Sequence, residues 1–360
     1  MADFNMDNST TDISPKCFFD FDKASLEAYL LSINSQKFRA KQIFDYVYTK
    51  FIFDFSKMSS LPTALRQKLA QDLYFTSAKL VANKKSKEDA GKFLFELNDG
   101  YFIESVILTA PTENNEEKKT ICVSTQVGCA QSCRFCASTL NGFKRNLSYQ
   151  EILTQFITFS KENQGFDFEN VVVMGMGEPM ANADNLLKAL SIINKDFSFG
   201  ARRITVSSCG LANKIEEMAK LDFPYRLAIS LHATNDEIRN QIMPVNKRFP
   251  LDTLLKSLEI FSKTSKRMIG LEYILIDNMN NSIQDAKALA KIAKKLKAHV
   301  NLIPYNTVEG LDWQRPPTKN SQKFLDVLKS MNISATLRRE KGSDIDAACG
   351  QLALKKNKGA

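Results

Sequence analysis

Three cysteines lie within eight residues of this chain, at Cys129, Cys133 and Cys136, and Phe135 stands immediately before the last of them. Thiolates at this C-x3-C-x2-C spacing on one tight loop can hold three irons of a [4Fe–4S] cluster. The fourth iron then keeps a coordination position that a substrate can occupy. The spacing therefore predicts an open iron–sulfur cluster with these three cysteines as its ligands.

Other uses of these thiols fit the sequence less well. A structural zinc site usually draws four ligands from two separated cysteine or histidine pairs, and no second pair is found here. Disulfides are disfavoured because three thiols this close cannot all pair with one another, and no secretory signal is found. A buried cysteine that acts as a small hydrophobe is common for one thiol, but not for three at metal-ligand spacing.

A second segment that could do chemistry reads Gly175-Met176-Gly177-Glu178-Pro179. It lacks the third glycine of a dinucleotide-binding loop, so phosphate binding is the weaker interpretation. Glycines let a backbone approach a ligand closely, and the carboxylate of Glu178 can accept hydrogen bonds from an ammonium group. A glycine turn capped by Glu178 explains the segment equally well, until the cysteine loop is considered with it.

The elements that must position these segments follow from the pattern after Thr120. Strands alternate with helices there, which is typical of a parallel sheet with crossover helices. The predicted strands are residues 121–125, 170–174, 203–207, 226–230, 268–276 and 299–304, and the predicted helices include 149–161, 185–194, 251–263 and 284–296. Six such units fall short of a closed barrel of eight, so the sequence predicts an α/β fold with a partial, open βα barrel.

Chemistry in such folds lies at the carboxyl ends of the strands. The cysteine loop follows the first predicted strand, and the Gly175 segment follows the second. The segments after the third, fourth and sixth strands are Ser207-Ser208-Cys209-Gly210, Ser230-Leu231-His232 and Tyr305-Asn306. We expect all of them at one mouth of the barrel.

The chain before Thr120 predicts two accessory parts. Leu26 and Leu30 are spaced as on one helix, Ile43 and Val47 as on another, and residues 84–87 resemble a basic linker. Residues 91–108 alternate around a turn signal at 98–100, which indicates a hairpin, and a charged loop follows. The expected domains are a small N-terminal helical RNA-binding module at 1–90, a β-hairpin extension at 91–119, the barrel at 120–340 and a C-terminal segment at 341–360.

Two surfaces of these accessory parts have competing interpretations. Basic residues of the helical module, with Tyr46, Tyr48 and Tyr74 among them, could face RNA, although a solvated face over an aromatic core is as consistent with the pattern. In the hairpin, strand alternation points Glu104 away from the face that carries Ile103. The pattern alone therefore predicts that Glu104 is a surface carboxylate.

Charge and composition limit the classes of function. The net charge is +9 and the pI is near 9.0, which favours an acidic partner, most commonly nucleic acid. We find no run of about twenty uncharged apolar residues, so no membrane span is expected. Seven cysteines without a secretory segment indicate a reducing compartment, so we expect the protein in the cytoplasm.

The cysteine loop and the Gly-Glu segment together resemble the radical S-adenosylmethionine (radical SAM) enzymes. Cys122, the Gly175 segment, residues 230–233, residues 301–306 and the segment around Cys349 narrow the resemblance to the bacterial adenine-C2 RNA methyltransferases, the RlmN family. The likeness runs from about Phe38 to Leu352. It implies a [4Fe–4S] cluster and two SAM molecules per turnover.

The resemblance also implies roles for individual residues. Cys349 would carry a methyl group on sulfur, Cys122 would form a disulfide with Cys349 when the RNA adduct is resolved, and Glu104 would be the acid–base carboxylate. The positions that match SAM contacts are Gly177, Glu178, Ser207, Ser230, Leu231, His232 and Asn306. Cys209 stands where the family usually has serine, and we interpret it as a packing substitution.

The implied substrates are an adenosine of 23S rRNA in the peptidyl transferase centre and the adenosine 3′ of the anticodon in tRNA. A flavodoxin-like electron donor and a monomeric state are expected. Arg338, Arg339 and Lys341 are the predicted RNA contacts, whereas the lysines at 287, 291, 294 and 295 are typical of a solvated helix face. C8 methylation of the Cfr type, or a non-catalytic iron–sulfur RNA-binding or redox-sensing protein, are the alternatives.

Overall fold

The computed structural model describes residues 14–87, 89–111, 117–308, 310–338, 343–347 and 350–352. The chain divides into two compact units. One comprises the chain up to Ser77 with Ser160–Gly165, and the other comprises Ala78–Phe159 and the chain from Phe166 onward. The division lies at residue 77 and not near residue 90, because the expected basic linker belongs to a strand of the large sheet.

The N-terminal unit is built from short helices around an aromatic core. Its α-helices are α1 (Lys23–Ser32), α2 (Arg39–Phe44) and α3 (Thr63–Asp72). Phe75 packs against Phe55 and Phe18, with ring centroids 4.6 and 5.1 Å apart. Tyr46 is buried, and its hydroxyl accepts a hydrogen bond from the Ser60 amide at 2.9 Å. Tyr46 therefore belongs to the core of the unit.

The second unit is organised around one ten-stranded mixed sheet. Its strands are β1 (Ala78–Lys85), β2 (Ala90–Leu97), β3 (Phe102–Pro111), β4 (Glu117–Cys122), β5 (Asn170–Val173), β6 (Ile204–Ser208), β7 (Arg226–Ser230), β8 (Gly270–Leu275), β9 (His299–Pro304) and β10 (Ala335–Leu337). Every strand lies beside its neighbour in sequence, and β1 and β10 are the two edges. The sheet is therefore open.

Strands β4 to β10 pair in parallel, and β1 to β4 pair antiparallel. The six predicted parallel strands are all present, and β10 adds a seventh that the sequence analysis did not predict. The predicted hairpin is confirmed as β2 and β3. Strand β4 begins at Glu117, earlier than predicted, because Lys118 and Lys119 pair with the end of β3.

Helices connect the parallel strands. They are α4 (Tyr149–Ile157), α5 (Ala183–Ser191), α6 (Ala212–Lys220), α7 (Asp236–Ile242), α8 (Leu251–Thr264), α9 (Ile283–Leu296) and α10 (Thr318–Ser330). Ser148 and Glu151 form a capping box at the start of α4, as Ser282 and Asp285 do for α9. The four predicted lysines of α9 are exposed, as expected for a solvated face. Within the described residues, no helix is long and apolar enough to span a membrane.

Candidate functional site

One cavity lies at the carboxyl ends of the parallel strands of the second unit. Cys129, Cys133 and Cys136 all line it. Five of the predicted SAM-contacting residues line the same cavity, namely Gly177, Glu178, Ser207, Ser230 and His232. The other two predicted residues do not line it: Leu231 is fully buried, and Asn306 is half-buried two residues after the end of β9. The cysteine loop and the Gly-Glu segment therefore lie at one mouth of the sheet, as the sequence predicts.

The shape of the cysteine loop depends on two close backbone contacts. Gly128 has φ +74°, and a Cβ placed there would lie 1.8 Å from the Gly142 carbonyl oxygen. The amide of Arg134 donates to the carbonyl oxygen of Ile242 at 3.0 Å, which fastens the loop to the end of α7. These contacts fix the backbone of the loop whose three cysteines line the cavity.

The donor set of this loop fits an iron–sulfur cluster. Cys129 and Cys133 are buried, and Cys136 is half-buried. Burial raises the pKa of the Cys129 thiol to about 12, so iron must displace the proton on binding, as metal ions do with coordinating thiols. No three acidic, thiol or imidazole groups of the described residues are placed to share a single metal ion. A cluster, in contrast, spreads its thiolate ligands over several irons.

Gly177 and Glu178 are held against Gln126, which lies between β4 and the cysteine loop. Gly177 has φ +102°, and a Cβ there would lie 2.6 Å from Cβ of Gln126. The Glu178 amide donates to Oε1 of Gln126 at 2.8 Å. Only glycine fits this conformation and this distance, so the second glycine of the segment has a steric cause.

The carboxylate of Glu178 binds backbone amides of two neighbouring segments. Its Oε1 accepts from the Met180 amide at 3.0 Å, and its Oε2 accepts from the Cys209 amide at 2.7 Å. Burial raises the pKa of Glu178, and the hydrogen bond from Cys209 opposes that shift. Glu178 therefore fastens the second and third strand ends together and also faces the cavity, where each oxygen retains a lone pair for a ligand.

His232 is a neutral hydrogen-bonding group of the cavity wall. Its Nδ1 accepts from the Ile274 amide at 3.1 Å, so the proton of the neutral ring lies on Nε2. Burial, with the nearby charge of Arg239, lowers the pKa of His232 to about 3. The ring of Phe135, next to a cluster cysteine, meets the His232 ring edge to face with centroids 4.7 Å apart. The cysteine loop and the fourth strand end are thereby packed together.

Arg239 is a central residue of this site that the sequence analysis missed. It is fully buried in α7, and its guanidinium donates to the carbonyl oxygens of Cys209, Ser230 and Leu231 at 2.8, 3.2 and 3.0 Å. A fourth hydrogen bond reaches Oδ1 of Asn246 at 2.7 Å. Arg239 thus ties the third and fourth strand ends. The sequence offered one indication of this role: Arg239 lies three residues before Ile242, so the two share the buried face of α7.

Glu104 is buried, which corrects the prediction of a surface carboxylate. The predicted alternation of side chains along this strand is correct: Ser105 lies on the opposite face from Glu104, and its hydroxyl donates to Oε1 of Gln155 in α4 at 2.6 Å. The face with Glu104 is covered as well, by the C-terminal segment: Lys92 Nζ lies 3.2 Å from Oε1 of Glu104 and 3.4 Å from the Asp346 carbonyl oxygen. Burial raises the pKa of Glu104, and Lys92 opposes the shift.

Cys122 lies on the same face of the sheet as Glu104. Lys92, Val106 and Cys122 are register partners across β2, β3 and β4, and Glu104 is two residues from Val106 along its strand. Because partners in a ladder share a face and alternate residues along a strand do too, these side chains point to one side. Cys122 is half-buried there, at the carboxyl end of β4.

Cys349 lies outside the described residues, as do Arg339 and Lys341. The residues that flank Cys349 are fastened on both sides. Toward the N-terminus, Asp344 accepts hydrogen bonds from the Ser86 hydroxyl and the Lys87 amide. Toward the C-terminus, Gly350 lines the cavity, and its carbonyl oxygen accepts from the Ala137 amide at 2.6 Å. The C-terminal segment therefore joins the Glu104 face to the cysteine loop.

The remaining predicted residues have defined positions. Arg338 lines the cavity, beyond the end of β10. Cys209 is buried at the cavity wall and contributes its backbone amide to Glu178, which agrees with a packing role for its side chain. Cys17 is buried in the N-terminal unit.

Two family models match separate parts of the chain. Residues 123–299 match the family model of the radical SAM superfamily, and residues 18–74 match the ribosomal RNA large subunit methyltransferase N-terminal domain. The chain is 51% identical over 348 residues to "Probable dual-specificity RNA methyltransferase RlmN 3" of Opitutus terrae, covering 93% of each protein. It is 43% identical to "Dual-specificity RNA methyltransferase RlmN" of Campylobacter jejuni, covering 88% of this chain and 92% of that protein.

A solved structure resembles the whole fold. It is the crystal structure of a radical SAM methyltransferase from Sphaerobacter thermophilus, with a TM-score of 0.85 and 36% sequence identity. The match covers 94% of this chain and 99% of that chain. The likeness thus includes both units.

Proposed function

Because the chain belongs to the RlmN family of the radical SAM superfamily, we infer that it is a SAM-dependent RNA methyltransferase that acts at C2 of adenosine. Its substrates are 23S rRNA, in the peptidyl transferase centre, and tRNA, at the adenosine 3′ of the anticodon. The observation that carries this inference is that Gly350, the neighbour of Cys349, lines one cavity with all three cluster cysteines.

The chemistry of the acceptor explains why this site needs a radical enzyme. C2 of adenine is electrophilic, so it cannot attack the methyl group of SAM as a nucleophile would. When bound, the [4Fe–4S] cluster and SAM supply a 5′-deoxyadenosyl radical that removes a hydrogen atom from a methyl group. Cys129, Cys133 and Cys136 would hold the cluster, and the buried cavity wall excludes water from the reacting centre.

We assign the one-carbon carrier to Cys349. Its thiolate takes a methyl group from one SAM, forming an S–C bond as the sulfonium bond breaks, and this carbon later bonds to adenine C2. Glu104 accepts the proton that leaves C2, while the radical adduct would give up one electron to the oxidised cluster. The thiolate of Cys122 then attacks the sulfur of Cys349: an S–S bond forms, the bond from that sulfur to the one-carbon unit breaks, and the carbon takes a proton and leaves as the methyl group of the product. A thiol reductant must then reduce the disulfide before the next turnover. The shared face of Glu104 and Cys122, covered by the C-terminal segment, supports these roles.

The SAM molecule would contact Gly177, Glu178, Ser207, Ser230, Leu231, His232 and Asn306. Glu178 offers acceptors for the methionyl ammonium group, and Gly177 lets the backbone approach it. Leu231 can take part only through its backbone, because its side chain is fully buried and does not line the cavity. A small flavodoxin-like protein would supply electrons, and the enzyme would act as a monomer in the cytoplasm.

An anaerobic assay tests this function. Protein reconstituted with iron and sulfide is incubated with methyl-labelled SAM, a reductant and either 23S rRNA or tRNA, and the digested nucleosides are analysed by mass spectrometry. We expect 2-methyladenosine from both RNAs. Formation of 8-methyladenosine would move the enzyme to the C8 class. Binding of a cluster and RNA without any methylated product would indicate a non-catalytic iron–sulfur protein.

A further inference from the structure

Glu272 of β8 is a buried carboxylate in the cavity wall to which no role has yet been assigned. Its exposed fraction is 4%, and its side chain lines the cavity together with Ser230 and the cluster cysteines. Carboxylates are rarely buried without a partner that compensates their charge or hydrogen bonds. A buried carboxylate beside a ligand cavity therefore requires a physical explanation.

One oxygen of Glu272 is fixed and the other is not. Oε1 accepts from Nδ2 of Asn301 at 2.8 Å. Oε2 is shielded from solvent and accepts no hydrogen bond from the described residues. Leaving a buried acceptor unsatisfied destabilises a protein, and the penalty is larger for a charged group. The free energy is recovered if a ligand brings a donor to this oxygen.

The backbone holds Glu272 in a fixed place next to Ser230. Ser230, Glu272 and Asn301 are register partners across β7, β8 and β9, so their side chains share one face. The carbonyl oxygen of Glu272 accepts from the amides of Leu231 and His232 at 3.0 and 3.3 Å. The backbone of Glu272 is thus fixed by the sheet, and the hydrogen bond from Asn301 to Oε1 holds the carboxylate in place.

We propose that Glu272 binds SAM, its carboxylate accepting a hydrogen bond from a ribose hydroxyl group. The inference rests on the proposed function, which places SAM in this cavity. Of the donors on SAM, the methionyl amino group would be held by the cluster and Glu178, which leaves the two ribose hydroxyls and the adenine amine. Carboxylates that accept from a ribose hydroxyl are a recurrent solution in nucleotide-binding sites. Ser230 beside Glu272 supplies an acceptor for the second of the two adjacent hydroxyls.

The test is a comparison of ligand affinities by calorimetry under anaerobic conditions, on cluster-loaded protein. Glu272→Gln keeps the size of the side chain, and its amide oxygen can still accept from Asn301, but its NH2 group cannot accept from a ligand. We expect this variant to bind both SAM and 5′-deoxyadenosine about tenfold or more weakly, the usual loss when a charged hydrogen bond is removed. Wild-type protein should bind a SAM analogue that lacks one ribose hydroxyl more weakly than SAM, by a similar factor.

The variant and the analogue form a cycle that identifies the contact. If Glu272 and the hydroxyl bind each other, Glu272→Gln discriminates little between SAM and that analogue, because the contact is already lost. Glu151→Gln is the matched control: Glu151 is buried and ion-paired with Arg145, but it does not line the cavity. The Glu151→Gln variant should bind SAM with the affinity of wild-type protein. Iron and sulfide content establishes that each variant carries the cluster.

Several outcomes would overturn the proposal. Unchanged affinity of Glu272→Gln for SAM, or additive losses for both single-hydroxyl analogues, would exclude a hydroxyl contact. A loss for SAM but not for 5′-deoxyadenosine would assign Glu272 to the methionyl end instead. If Glu272→Gln does not fold, wild-type protein decides: equal affinity for SAM and for both deoxy analogues overturns the proposal, and about a tenfold loss for one of them supports it. Wild-type protein that binds no SAM would contradict the proposed function itself, which separates the two failures.

Discussion

At the scale of residues, burial distinguishes Glu104 from an ordinary surface carboxylate. The sequence places it correctly on the face opposite Ser105, but a pattern within one strand cannot show what covers that face. The covering segment is 240 residues away in the chain, at Asp344 and Asp346, and its contacts with Lys87 and Lys92 arise only in the tertiary structure. Burial then raises the pKa of Glu104, a property suited to a group that exchanges a proton.

The raised pKa of Glu104 predicts the pH dependence of the reaction. A base must be ionised, so the methylation rate should rise with pH through the pKa of Glu104, above the usual range of a carboxyl group. Lys92→Met removes the cation that holds this pKa down, and the rise should move to higher pH. Single-turnover rates measured from pH 5 to 9 check this.

Glu104→Gln should lower the methylation rate about 100-fold or more, a typical loss for a general base, and abolish the pH-dependent rise.

Because the pKa of Glu104 is raised in the folded state, the free energy of unfolding of the wild-type protein should fall as pH increases from the usual carboxyl pKa to the raised one. An unchanged profile in Lys92→Met would contradict the role of this pair.

The two cysteines assigned to the carrier step should fail in different ways. Cys349→Ala should assemble the cluster and bind SAM but form no methylated RNA, because the one-carbon unit has no sulfur to carry it. Cys122→Ala should accumulate a covalent protein–RNA adduct, because the thiolate that resolves it is missing. Denaturing gels with labelled RNA distinguish the two results. Product formation by Cys349→Ala, or free RNA alone after turnover by Cys122→Ala, would be evidence against the carrier mechanism.

At the scale of elements, the cysteine loop depends on one backbone approach, which gives a matched pair of variants. Gly128→Ala would force a Cβ against the Gly142 carbonyl oxygen at 1.8 Å, so the loop must open and the iron content should fall. Gly142→Ala places a Cβ in open space at a similar φ, +64°, and should cost only about 1 kcal/mol of backbone strain.

Iron and sulfide analysis after anaerobic reconstitution, with thermal unfolding of the apoproteins, separates the two effects. Gly142→Ala should bind iron as wild-type protein does. A full complement of iron in Gly128→Ala would show that the close approach does not shape the cluster site.

The elements themselves were largely predictable from the sequence, and the exceptions have a common cause. The sequence predicts β7 and β9 with their observed ends, because β7 has a buried apolar centre and β9 alternates buried and half-buried residues. Strand β1 escaped prediction: its residues fall within the predicted helical module and, at Lys84 and Lys85, within the predicted linker, because a strand that is exposed along most of its length has no buried apolar face to reveal it. Arg239 was missed because three of its four partners are backbone carbonyl oxygens, which residue types do not reveal.

At the scale of the whole molecule, the positive charge predicts a salt-dependent interaction with RNA. Affinity should fall as salt rises, with a slope of about −0.7 for each phosphate contacted on single-stranded RNA. Strand β1 carries Lys84 and Lys85, both exposed and close in sequence to the turn that holds Asp344. We expect them to contribute phosphate contacts near the C-terminal segment.

Charge reversal tests this surface. Lys84→Glu with Lys85→Glu should weaken RNA binding and make the salt slope shallower, whereas Lys287→Glu with Lys291→Glu, the same change of charge on α9, should alter both much less. Filter binding at several salt concentrations measures both quantities. Equal losses from the two pairs would mean that RNA responds to net charge and not to this strand.

The lysines of β1 have a second consequence. As an outer strand, β1 pairs on one side only among the residues that the structure describes, and such a strand can template addition of another chain. Repulsion between like charges discourages two copies from joining edge to edge. Neutral, β-branched replacements at Lys84 and Lys85 would remove that protection, so the resulting protein should tend to aggregate on storage, whereas the glutamate versions should stay dispersed.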